Sequence, residues 1–314
     1  MRGWSALCAA ALACAAVASV PAAAAPDAPE QLRCEGLVNP LGIDRPRPRL
    51  SWSIPAGPRG LAQSAYQVFA ADSPEALAAD GPALWDSGKV ASDQSQWVAY
   101  GGAPLAKGAR CWWKVRVWDQ AGAASPWSDP ASFTVGPLSA ADWSGEWIGA
   151  DWFVDNAGSL PWLRKTVTLP KAPARATAHV CALGYYELFI NGKKVGEDVL
   201  APAVSDYGKR GLYVTHDITP YLTEGANCIG LWLGRGWSLG VLKNIGTAGP
   251  MVKAEFSLAF DGADPLTVVT DASWKARPSH ITPLGKMTSG SYGGELVEAE
   301  KEDRKSTRLN SSHT

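Results

Sequence analysis

The sequence has 314 residues, room for two ordinary domains, and 46% of them are hydrophobic, as in a globular chain. Twenty-nine Lys and Arg stand against 30 Asp and Glu, a formal charge of −1, which removes any electrostatic case for nucleic acid or an anionic membrane as partner. The histidines at 179, 216, 280 and 313 show no metal-ligand spacing, and the chain has neither a dinucleotide-binding glycine fingerprint nor a Walker loop.

Residues 1–25 have the pattern of a secretory signal peptide. Arg2 supplies the positive charge, Ala6 to Val20 forms an apolar run too short to span a bilayer, and Ala22–Ala25 offers a cleavage region. The expected location is secreted or periplasmic, with no membrane attachment once the signal is cleaved. Cys8 and Cys14 leave with the leader, and Cys34, Cys111, Cys181 and Cys228 remain. An oxidising compartment permits disulfides. Cys181 and Cys228 fall on apolar stretches of one domain, and both a pair and two buried thiols stay open. The composition is unusual in its 15 Trp. Indoles fill β-sheet cores, and they also stack on sugar rings while the N–H finds a polar partner.

From 27 to 138, short apolar runs recur with Gly/Pro turns between them: Leu50–Ile54, Ala65–Ala70, Gln96–Tyr100, Cys111–Asp119 and Ser132–Val135. CWWKVRVWD alternates, with Trp113, Val115 and Val117 on one side and Trp112, Lys114, Arg116 and Trp118 on the other, which predicts a strand with one buried face. Ser73 before Pro74 marks a helical turn with a serine cap. The spacing predicts a β-sandwich of about 100 residues. With YQVFAAD and the later VWD and SPWS, this segment resembles a fibronectin type III domain, and its expected role is that of a spacer.

From 141 to 301 the pattern is again that of strands, at Leu163–Leu169, Ala176–Ala182, Tyr186–Ile190, Gly211–Asp217, Asn227–Leu233, Val252–Phe260 and Leu266–Thr270. Asn191-Gly192 is a two-residue hairpin signal. Eight or so antiparallel strands predict a jelly roll, so the whole is an all-β chain of two sandwiches. His216-Asp217 invites a catalytic reading, but no Ser or Cys sits in a nucleophile context, and Asp217 ahead of Pro220 reads as a turn or cap. The opening Trp143-Ser144-Gly145-Glu146-Trp147-Ile148-Gly149, then ELFINGKKVGE, then Tyr207 with Lys209 and Arg210, then DIT, YL and GRGW, resemble the N-terminal β-sandwich of bacterial α-L-rhamnosidases.

The resemblance implies a set of contact residues. In some family members a jelly roll of this kind holds calcium and rhamnose through an Asp-Asn pair, and Asp155-Asn156 is the counterpart here. Oxygen donors of this kind suit Ca²⁺, which can also accept vicinal sugar hydroxyls, while Asp-Asn-Ala-Gly is equally ordinary turn chemistry. The family often has Pro-Gly-Trp where this chain has Pro202-Ala203-Val204, so one aromatic platform is missing. Tyr207, Lys209, Arg210 and Trp237 remain as sugar contacts. The run Asp303–His313 reads like an in-frame translation of a sequencing adapter, so residues 303–314 are set apart from the fold. Family members continue into a catalytic barrel carrying both carboxylates of an inverting hydrolysis. No residue here is therefore assigned as acid or base, and the expected partners are a rhamnose-containing glycoside and a C-terminal catalytic domain in cis. The competing expectations are a self-standing carbohydrate-binding or adhesion protein, or the front end of another glycoside hydrolase family.

Overall fold

Alternation in the first domain becomes strand pairing in the computed structural model, which describes residues 25–57, 59–79, 81, 83–152, 158–236, 249–284 and 293–301. A three-stranded sheet orders β1 (Glu30–Cys34), β2 (Arg49–Ser53) and β5 (Val98–Ala99) as β1-β2-β5. It faces a sheet ordered β4-β3-β6-β7, made of β3 (Gln63–Ala71), β4 (Trp85–Asp86), β6 (Arg110–Asp119) and β7 (Ala131–Thr134). Trp52, Trp113, Val115 and Phe133 fill the space between them. The short helix α1 (Pro74–Ala78) starts as expected, with Ser73 Oγ accepting from the Ala76 N–H at 3.2 Å.

One expectation for β6 is corrected. Its second face is covered as well as its first. Lys114 is buried, donates to the Leu77 carbonyl at 2.9 Å, and lies 5.0 Å from the Trp127 ring and 5.4 Å from that of Phe69. Arg116 follows, 4.7 Å from Trp127 and 5.0 Å from Trp118. Polar residues on that face signalled water, but their long stems and charged heads pack between aromatic rings instead.

The second sandwich packs a five-stranded sheet, order β11-β10-β13-β8-β16, on a four-stranded one, order β12-β9-β14-β15. Its strands are β8 (Pro161–Leu169), β9 (Arg175–Leu183), β10 (Tyr185–Ile190), β11 (Lys193–Lys194), β12 (Tyr213–Asp217), β13 (Gly225–Gly234), β14 (Met251–Phe260), β15 (Ala263–Val269) and β16 (Lys275–Pro278). A further pair, β17 (Ile281–Leu284) and β18 (Gly294–Val297), follows. Leu188, Ile190, Ile229 and Leu231 meet Ala178, Val180, Ala254 and Phe256 in the core. Asn191 and Gly192 take φ of 52° and 77°, the left-handed values a two-residue hairpin between Ile190 and Lys193 demands. The four cysteines at 34, 111, 181 and 228 are buried free thiols, and Cys181 and Cys228 sit in different sheets.

The sandwiches are joined by a built contact. Tyr213 Oη lies 2.8 Å from the Gly42 carbonyl and 3.1 Å from that of Pro137. A Cβ on Gly42, at φ +65°, would fall 1.9 Å from Thr215 Oγ1, and one on Gly136 would fall 2.5 Å from Tyr213 Oη. Glycine is thus what lets the first domain's backbone reach β12. Beside it Lys107 Nζ meets Glu255 Oε1 at 2.6 Å, and Ser144 N–H donates to Glu255 Oε2 at 3.2 Å.

Candidate functional site

The loop from Val199 to Gly211 enters β12 at this junction, and it carries three of the residues singled out by sequence. Asp206 accepts from Gly208 N–H and pairs with Lys209 at 3.1 Å, a turn that points Lys209 and Arg210 outward. Both side chains are exposed. Tyr207 is turned inward instead: it is buried, and its hydroxyl accepts from the Gly184 N–H at 3.3 Å, which ties the loop to the β9–β10 connection. Burial raises its phenol pKa, so it stays a neutral anchor.

Lys209 and Arg210 line a cleft of about 340 Å³ between the two sandwiches. Asp44 and Ser139 come from the first domain and the linker, Trp143 and Trp147 from the WSGEWIG run, and Tyr213 and Lys253 from β12 and β14. Trp147 is 38% exposed, so an indole is open to a ligand beside three cations. Trp143 is braced edge-on against Tyr213 with centroids 5.6 Å apart. Tyr213 is itself buried enough to hold its hydroxyl protonated well above the usual phenol range, as suits a donor to the Gly42 carbonyl. Gly211 is the close-approach point, where a Cβ would lie 2.9 Å from Cys181 Sγ. An indole with charged and hydroxylic neighbours in a concave junction can hold a polyol by stacking and hydrogen bonding.

Sequence reasoning did not find Trp147, Lys253 or Asp44 as companions of Lys209 and Arg210. The WSGEWIG run was the available signal, but its position against the loop depends on contacts across the two domains. Asp155, Asn156 and Trp237 lie outside the described residues. Among the described residues no three His, Cys, Asp or Glu side chains group as a metal-holding set. His216 is buried, with Nε2 2.7 Å from Tyr186 Oη, and Asp217 Oδ1 accepts from Thr219 N–H at 2.9 Å, so this pair serves core and turn.

Comparison with known proteins agrees with this architecture. Residues 29–139 match the Rha78A-like N-terminal immunoglobulin domain, and residues 171–313 match the α-L-rhamnosidase N-terminal domain. The chain belongs with the N-terminal regions of the α-L-rhamnosidases. The second match begins after β8, which the structure places inside the same sandwich, and it runs across the tail set apart above. An α-L-rhamnosidase of Formosa agariphila is 33% identical over 281 residues, covering 85% of this chain and 30% of its own length. One from Alteromonas sp. is 33% identical over 292 residues, 87% of this chain and 31% of that protein. The α-L-rhamnosidase structure from Dictyoglumus thermophilum superposes with a TM-score of 0.81 at 30% identity, over 90% of this chain and 32% of that one. The fold is shared with a Streptomyces avermitilis α-L-rhamnosidase solved with L-rhamnose, at TM-score 0.80 and 22% identity over 89% of this chain and 43% of that one. The chain thus spans about 30% of the length of the curated relatives it matches.

Proposed function

We propose that the rhamnosidase to which this N-terminal portion belongs is secreted and hydrolyses terminal α-L-rhamnosides, with inversion, on plant glycosides or polysaccharides. The observation that carries the reading is the superposition on the Dictyoglumus enzyme, which uses 90% of this chain and 32% of that one. Inverting hydrolysis needs two carboxylates about 6.5–9.5 Å apart, one protonating the leaving oxygen and one activating water. The reading assigns both to the catalytic part in cis. The two sandwiches here support that part and hold substrate near it.

Sugar contact falls to the junction side of the second sandwich. Lys209 and Arg210 supply donors, Trp147 a stacking face, and Tyr207 the anchor that fixes the loop. Trp237 and the Asp155-Asn156 pair complete the proposed set, and the oxygen donors of that pair suit calcium, which would bridge protein to vicinal hydroxyls. Calorimetric titration of the chain with L-rhamnose, with and without Ca²⁺, tests this. Calcium-dependent heat that disappears in Asp155→Ala supports the bridging ion. Absence of binding under both conditions removes the sugar contact and leaves scaffold as the role of these domains.

A further inference from the structure

The first sandwich sits on the outer face of the four-stranded sheet, where strand register lines side chains up in rows. Thr215, His179 and Glu255 make one row. The junction closes over it through Gly42 and Lys107, and His179 and Glu255 are buried. The next row is Asp217, Thr177, Ser257 and Thr267, one residue from each of β12, β9, β14 and β15. These four turn away from the core, because the residues that alternate with them, Ala176, Phe256 and Val268 among them, fill it. The row floors a groove of about 230 Å³ between the sandwiches, separate from the cleft that Lys209 and Arg210 line.

Two guanidiniums flank the groove. Arg175 stands two residues before Thr177 on β9, on the same face, and Arg110 comes from the first sandwich at the start of β6. The Arg110 guanidinium lies over the Trp112 ring, 4.4 Å from its centroid, a contact that uses its flat face and leaves its N–H edge to donate. Among the described residues neither guanidinium has a hydrogen bond or an ion pair. Partial burial and the Arg175 charge lower the pKa of Arg110, and Asp217 opposes them, so the two cations sense each other across the groove. Asp217 is the one carboxylate among the described lining residues, and its Oδ1 already accepts from Thr219 N–H at 2.9 Å and Thr219 Oγ1 at 2.6 Å. Lys107 is matched by Glu255. Two guanidiniums against one carboxylate leave positive charge beside the hydroxyls of Thr177, Ser257 and Thr267, each able to donate. Like charges held close repel, and an anion between them relieves that repulsion.

We propose that this groove binds a tetrahedral oxyanion, a sulfate or phosphate group, between Arg110 and Arg175 and above the hydroxyls of Thr177 and Ser257. Donors from two walls and a floor do not share a plane, which suits a tetrahedral anion better than a flat carboxylate. The inference stands on the groove alone and is independent of the rhamnosidase reading. The test is calorimetric titration of the full chain at low ionic strength, where screening is weak, with inorganic phosphate, inorganic sulfate, glucose 6-phosphate, glucose 6-sulfate and acetate. Saturable binding of a tetrahedral anion is expected, with acetate at least about ten-fold weaker. Arg110→Gln and Arg175→Gln should each lower affinity about ten-fold, as loss of a charge-assisted contact requires. Lys193→Gln, an exposed charge on β11, should leave it unchanged. Thermal midpoints show which arginine variant remains folded, and either one suffices for the comparison. Equal affinity for a free anion and its sugar ester makes the ion itself the ligand, and a tighter ester makes it a substituted saccharide; both support the site. Heat that never saturates, acetate binding as tightly as phosphate and sulfate, wild-type affinity in the folded arginine variants, or the same loss in Lys193→Gln overturns the proposal.

Discussion

His179 is held neutral inside the junction. Nδ1 lies 2.9 Å from Thr215 Oγ1, and the ring meets Tyr213 edge-on at 5.9 Å. Burial, aided by Lys107 and opposed by Glu255, lowers its pKa from 6.5 to about 4. His216 shifts the same way through burial, against the pull of Asp198. The unfolded chain therefore takes up protons near pH 6.5 that the folded chain refuses until lower pH. The stability from neutral His179 is present above 6.5 and is lost as pH falls toward 4, up to roughly 3 kcal/mol. The thermal midpoint should drop between pH 7 and pH 4.5, and His179→Gln should make that drop shallower. An equally steep profile in the variant would remove His179 as a cause. At this scale the sequence was informative where chemistry is local: Asp217 was legible as a turn residue because its partner, Thr219, is two positions away. The role of His179 was not, since its neighbours Lys107 and Glu255 come from distant parts of the chain.

Elements were legible in proportion to how regularly they alternate. β6, β8, β9, β13 and β14 follow their predicted runs, and β10 turns into β11 at the Asn-Gly pair. The run Gln96–Tyr100 shortens to Val98–Ala99 because Trp97 takes φ 58°, outside strand geometry. β1 gave no alternation to read, since Gln31 at φ 52° puts an irregularity in its pairing with β2. The short strands β4, β16 and β18 offer too few residues for a period. The hairpin is secured by a residue that no periodicity marks. Asn227 is fully buried, accepts from Asn191 Nδ2 and Thr223 N–H, and donates to the Thr223 and Gly225 carbonyls. Asn227→Ala leaves several of these groups unpaired and should cost about 2–4 kcal/mol. Chemical denaturation measures it, and a cost below about 1 kcal/mol would mean water replaces the side chain without loss.

For the whole molecule, the junction makes two sandwiches into one unit. Lys107 is paired with a Glu255 side chain only 4% exposed, and Tyr213 reaches Gly42 across 171 positions of sequence. Such contacts leave no trace in local composition, which is why two domains were readable and their coupling was not. The wild-type chain should melt in one transition. Lys107→Met leaves Glu255 buried without its cation, a loss of roughly 3–5 kcal/mol, and combined with Tyr213→Phe it should split the calorimetric trace into two. A single transition in the double variant would mean that other contacts couple the domains.

Assay of the full chain on an aryl α-L-rhamnoside tests the central claim most directly. No turnover above the uncatalysed rate is predicted, because the proposed function assigns both hydrolytic carboxylates to a catalytic part in cis and none to these two sandwiches. Turnover by the purified chain, lost on mutation of one of its own carboxylates, would contradict it.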